Sequence, residues 1–138
     1  MDQNIESQII SAFLVTRKKE RAKYELQNEK KRRHFIWEIS GCSYYDEKYA
    51  QRILQPVSSY QTIYNLLKKN GAPDTCYVLC ADKNFDGLTL PLDVALKHVV
   101  FNGPALISCN HGRWAYLEDG PTIGAANRYL LIRTPTLK

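Results

Sequence analysis

Asp82, Asn84 and Asp86 occupy alternate positions ahead of Gly87, and Asp93 closes a twelve-residue span that begins at Asp82. Side-chain oxygens at this spacing converge on one hard cation when the chain turns sharply, and a glycine permits such a turn. Cys109 and His111 are the types needed for a thiol nucleophile whose pKa is lowered by an imidazole. A catalytic pair is ordinarily assembled from distant segments, so two residues this close read more simply as parts of a turn. Arg17, Lys18, Lys19, Arg21, Lys30, Lys31, Arg32 and Arg33 form a third group, suited to neutralising the phosphates of a nucleic acid and releasing its counterions.

The run Asp82-Lys83-Asn84-Phe85-Asp86-Gly87, with Asp93 at the twelfth position, resembles the calcium loop of EF-hand and dockerin proteins. The resemblance covers these twelve residues and implies calcium held by Asp82, Asn84, Asp86 and Asp93. It departs from the pattern at Thr89, where a larger aliphatic is expected, at Pro91 inside the loop, and at Asp93, which is shorter than the usual glutamate. The same residues also make an Asp-Gly turn feeding a helix that Pro91 starts and Asp93 favours electrostatically, and that reading needs no cofactor. Neither G-x-x-x-x-G-K-[ST] nor G-x-G-x-x-G occurs, and Ser108 lacks the glycine flanks of a nucleophile elbow. No coherent catalytic signature remains.

The net charge of +5 is unevenly distributed. Residues 16 to 34 carry nine Lys/Arg against Glu20, Glu25 and Glu29, and the rest of the chain is nearly neutral. Attraction for polyanions therefore has to come from this one segment. Its glutamates interrupt the positive field, which also fits an ordinary solvated helix face. Nine tyrosines and two tryptophans are a heavy aromatic load. Tyr44, Tyr45, Tyr49, Trp114 and Tyr116, with Arg113, have the chemistry of a protein-binding surface, although tyrosines also serve as core.

The elements that position these residues follow from periodicity. Ile5, Ile9 and Phe13, with Ile10 and Leu14 alongside, make an apolar helical stripe that fades into the charged segment, which predicts one long amphipathic-to-basic helix. The alternation of Phe35, Trp37 and Ile39 predicts a strand over His34 to Ile39, followed by a short helix over Tyr44 to Leu54. Ser58 or Ser59 caps a helix carrying Ile63, Leu66 and Leu67, and Asn70-Gly71 stops it. Thr75 to Ala81 reads as a central strand and the segment from Pro91 to Val100 as a helix. Ala105 to Cys109 and Arg113 to Glu118 read as a hairpin through Asn110-His111-Gly112, and Arg128 to Arg133 as the last strand.

The expected fold is thus α+β: a mostly antiparallel sheet of about four strands with helices packed against it, plus a long N-terminal basic helix. Residues 1–34 are a candidate arm and 35–138 the compact domain. The apolar runs are far shorter than the roughly 20 residues of a membrane span, and no secretory pattern opens the chain. Cys42, Cys76, Cys80 and Cys109 fit free buried thiols, so the expected compartment is the cytoplasm. The expected function is a non-enzymatic protein-binding module of the immunity-protein, antitoxin or small-regulator type. Nucleic-acid binding through the basic segment is the alternative, and calcium binding at Asp82 to Asp93 a further one.

Overall fold

A computed structural model describes residues 2–39, 41–109, 113–120 and 127–133. Among them, five α-helices flank one antiparallel sheet of six strands: α1 (Gln3–Phe13), α2 (Lys19–Gln27), α3 (Glu29–Ile39), β1 (Ala50–Arg52), α4 (Tyr60–Lys69), β2 (Thr75–Cys80), β3 (Thr89–Pro91), α5 (Leu92–Val99), β4 (Ala105–Cys109), β5 (Trp114–Glu118) and β6 (Arg128–Ile132). The strand order is β1-β6-β5-β4-β2-β3. The fold is α+β as expected, but the sheet has six strands where about four were expected.

Helices cover both faces of the sheet. Alternate side chains of one strand point to opposite faces: Tyr77 and Leu79 of β2 join the cluster under α1, α2 and α3, while Cys76, Val78 and Cys80 join that under α4 and α5. Leu106 of β4, Ala115 and Leu117 of β5 and Leu131 of β6 follow the first set, and Ala105, Ile107, Cys109, Tyr116 and Leu130 the second. Double coverage explains why Cys76 to Cys80, and Ala105 to Cys109 apart from Ser108, are apolar runs, because neither face of a central strand meets water.

The single long basic helix is replaced by three helices. Leu14 is extended (φ −81°, ψ 151°) and bridges to Tyr45, which ends α1. A 3-10 turn over Thr16–Lys18 then redirects the chain. Asn28 separates α2 from α3, its side chain accepting from the backbone N–H groups of Lys30 and Lys31 at 3.0 and 3.2 Å, the pattern of an N-cap. The strand expected over His34 to Ile39 is the second half of α3. Phe35, Ile36 and Ile39 are buried and Trp37 is exposed, so the pattern that governs is the helical one.

The helix expected over Tyr44 to Leu54 is instead two 3-10 turns, Cys42–Tyr44 and Glu47–Tyr49, followed by β1. Ser59 caps α4, accepting from the Gln61 N–H at 3.3 Å, and α5 begins after Pro91, both as expected. β2 and β4 pair in the register Tyr77↔Ser108, and β4 and β5 in the register Cys109↔Trp114. The Asn110-His111-Gly112 turn lies outside the described residues. None of the described helices is long and apolar enough to cross a membrane.

Candidate functional site

The apolar stripe of α1 contains one charged residue, Glu6, on the same face as Ile9, Ile10 and Phe13. The stripe of α3 likewise contains Arg32 with Phe35, Ile36 and Ile39. These two meet inside the protein. Arg32 Nη1 and Nη2 donate to Glu6 Oε1 and Oε2 at 2.8 and 2.7 Å, while Nε and Nη2 donate to Asp86 Oδ2 and Oδ1 at 2.7 and 3.1 Å. Nη1 also donates to the Leu26 carbonyl at 2.9 Å. All five N–H groups of a guanidinium are thereby used. The Tyr77 hydroxyl donates to Glu6 Oε2 at 2.6 Å, and the Cys80 N–H donates to Asp86 Oδ1 at 3.3 Å.

Burial opposes the charge on Arg32, but hydrogen bonds to Glu6 and Asp86 and their negative charges outweigh it and hold the guanidinium above its ordinary range. Burial first, and then the bond to Glu6, raise the Tyr77 phenol. This cluster ties α1, α3 and the turn after β2 to one another, and it decides which residues of the N-terminal segment remain on the surface.

Of the eight basic residues picked out from the sequence, Arg32 is therefore interior, at 4% exposure. Arg33 donates to the Ala81 carbonyl at 2.6 Å, Lys19 to the Ser11 carbonyl at 3.0 Å, and Lys18 lies 4.0 Å over the Tyr44 ring. Arg21 pairs with Glu38 at 3.4 Å and Lys31 with Glu25 at 3.8 Å, contacts that close α2 and α3 into an antiparallel hairpin. Among the described residues, Arg17, Lys23 and Lys30 make no ion pair. The solvent side of this hairpin also carries two large aromatics, Tyr24 at 58% and Trp37 at 49% exposure. Lys31 Nζ sits 5.1 Å over the Tyr24 ring. The Trp37 indole lies against the backbone at Gly120, where an added Cβ would displace the ring.

The aromatic set expected to form the partner surface is mostly core. Tyr44, Tyr45 and Tyr116 are buried, Tyr49 and Trp114 are half-buried, and Arg113 is exposed. Burial raises the Tyr45 phenol, whose oxygen has no hydrogen-bond partner among the described residues. Tyr116 donates at 2.6 Å to the buried Glu118, which also accepts from the N–H groups of Phe101 and Gly103 at 3.2 and 2.9 Å and from Arg128 Nε at 3.2 Å. Phe101 is held at φ 76°, in the left-handed region that favours glycine, with its ring 55% exposed beneath the Arg128 guanidinium.

Nor do the four oxygens of the Asp82 to Asp93 span come together. Asp86 points inward to Arg32, and Asp82 Oδ2 pairs with His98 Nε2 at 3.0 Å. Asp93 Oδ1 accepts from the Val94 N–H at 2.9 Å, and Asn84 is exposed with its N–H bound to Asp82 Oδ1 at 2.9 Å. His98 stacks on Phe85 with ring centroids 3.6 Å apart. Cys109 is buried on the α4–α5 face of the sheet, and its expected partner His111 lies outside the described residues.

Sequence reasoning missed Glu6 as a site-forming residue and Trp37 as a surface one. A carboxylate inside an otherwise apolar helical stripe was the available signal for the first, since a buried charge requires a partner. For Trp37 the signal was the helical spacing of Arg32, Phe35, Ile36 and Ile39, which leaves position 37 on the outside. No protein-family model matches the chain, and neither a curated protein nor a solved structure matches it.

Proposed function

We propose that this protein is a non-catalytic protein-binding module, of the immunity-protein, antitoxin or small-regulator type, and that it engages an acidic partner through the solvent side of the α2–α3 hairpin. The observation that carries this reading is the exposure of Tyr24 and Trp37 on a hairpin that also carries Lys23 and Lys30, neither of them in an ion pair among the described residues. Tryptophan, tyrosine and arginine dominate the energetics of protein interfaces, and a rigid helical platform loses little entropy on binding. The Glu6–Arg32–Asp86 cluster supplies that rigidity by fixing α3 to the body. Lys23 and Lys30 on the hairpin, with Arg17 in the turn that precedes it, steer an acidic surface toward it.

The test is affinity capture from an extract of the source cells with wild-type protein and with Trp37→Ala, compared by quantitative mass spectrometry. A defined acidic protein retained by the wild type and depleted at least tenfold with Trp37→Ala supports the reading, whereas identical retention by both removes it. The same cations favour a second reading, nucleic-acid binding. Fluorescence anisotropy with a generic duplex distinguishes it: affinity that falls steeply between low and moderate salt, and that weakens on Lys30→Ala, assigns the surface to phosphates instead.

A further inference from the structure

Cys76 and Cys109 stand on adjacent central strands. Continuing the register Tyr77↔Ser108 by one residue sets Cys76 opposite Cys109. Both side chains point toward α4 and α5, and both are buried. The type of pair can be read from the backbone. The Val78 N–H donates to Leu88 and its carbonyl accepts from Gly87, while the Asp74 carbonyl accepts from Leu92, so even-numbered residues of β2 turn their polar groups toward β3 and away from β4. Cys76 and Cys109 thus occupy a non-hydrogen-bonded pair, the closer of the two antiparallel kinds, with Cα atoms about 4.5 Å apart. Disulfides span Cα separations of roughly 4.4–6.8 Å, so the strands need not separate to accommodate one. Cys80 lies on the same face but four residues along β2, roughly 13 Å away, and its thiol donates to the Asp82 carbonyl at 3.4 Å.

We propose that Cys76 and Cys109 are an oxidative modification site, forming a reversible cross-strand disulfide when the protein meets a peroxide. One sulfur, as thiolate, attacks a peroxide oxygen; the S–O bond forms, the O–O bond breaks, and hydroxide leaves to become water with the proton the thiol gave up. The other sulfur then attacks the sulfenic sulfur, the S–S bond forms, the S–O bond breaks, and the departing hydroxide takes the second thiol proton. Two thiols are oxidised and one hydrogen peroxide is reduced to two waters. The product is a covalent loop holding β3 and α5 between its ends. The hydrogen bond to Cys109, and then burial, raise the Cys76 thiol above its ordinary range, so oxidation of the folded protein is slow near neutral pH and quickens as pH rises.

The experiment treats the folded protein with hydrogen peroxide, caps remaining thiols with N-ethylmaleimide, and maps nonreducing digests by mass spectrometry. The expected product is a peptide pair linked through Cys76 and Cys109, lighter by two hydrogens than the reduced pair and separated again by dithiothreitol. Cys109→Ala abolishes it and Cys80→Ala retains it; should either variant fail to fold, the wild-type map decides alone. The proposal is overturned if both cysteines are still capped after a treatment that fully oxidises the urea-unfolded chain. Conversion of either to sulfinic or sulfonic acid, or pairing with Cys42 or Cys80 instead, overturns it equally.

Discussion

The sheet face covered by α1, α2 and α3 encloses a guanidinium, two carboxylates and a phenol, whereas the face covered by α4 and α5 encloses aliphatic side chains and three thiols, with polar groups only at one end, where Tyr116 and Arg128 bond to the buried Glu118. Both are buried to similar depth, but they specify structure differently. Hydrogen bonds from Arg32 to Glu6 and Asp86 are directional, so α1 and α3 have one seating on the sheet in which every N–H of the guanidinium is satisfied. Away from Glu118, packing under α4 and α5 is set by volume and shape, which tolerate conservative exchange. The polar face pairs its interior with the surface proposed for recognition, and the apolar face shelters the two thiols.

Replacing Arg32 with methionine strands two buried carboxylates and is expected to cost about 3–5 kcal/mol in urea denaturation. The triple variant Glu6→Leu, Arg32→Met, Asp86→Leu recovers most of that loss, because no unpaired charge remains; a triple variant as unstable as the single would show that the network contributes net stability. On the opposite face, Leu67→Ala is expected to cost roughly 2–5 kcal/mol, but Leu67→Met under about 1.5 kcal/mol. That tolerance has no counterpart at Arg32. Tyr77→Phe removes one bond to a carboxylate and should cost about 1.5–3 kcal/mol.

The thiols give a pH signature of their own. Burial pushes Cys80 from its ordinary 9.0 up to about 11. A thiol that stays neutral longer in the folded state than in the unfolded one stabilises the fold fully below the unfolded pKa. That contribution is lost as pH rises through the folded pKa. The Cys80 contribution should therefore be lost between about pH 9 and pH 11, on the order of 1–3 kcal/mol, and Cys80→Ala should make the alkaline fall shallower, leaving the part due to the raised Cys76, Tyr45 and Tyr77. The smallest effect is expected outside both faces: Trp37→Ala should change stability by no more than about 0.5 kcal/mol while abolishing partner capture.

Strands whose two faces are both buried were legible in the sequence, since Cys76 to Cys80 and Ala105 to Cys109 are apolar runs, broken only by Ser108, between turn residues. So were α4 and α5, through Ser59, Gly71 and Pro91. The N-terminal third was not. Phe35, Trp37 and Ile39 satisfy an alternating pattern as well as Arg32, Phe35, Ile36 and Ile39 satisfy a helical one, and only the burial of Arg32 chooses between them. β1 and β3 have three residues each, too few for any period, and exist because β6 and β2 offer them hydrogen bonds. Within the candidate site, the basic character of the hairpin was visible, but which cation turns inward depends on Glu6 and Asp86, distant in sequence.

Those two short strands are also the rims of the sheet. A three-residue edge offers few open backbone groups, and Pro91, at the end of β3, brings no N–H. Such rims template poorly, which protects the chain from edge-to-edge aggregation and leaves little room for a partner to add a strand of its own. The recognition proposed for this protein would accordingly fall to side chains on helices, and its backbone is largely spoken for.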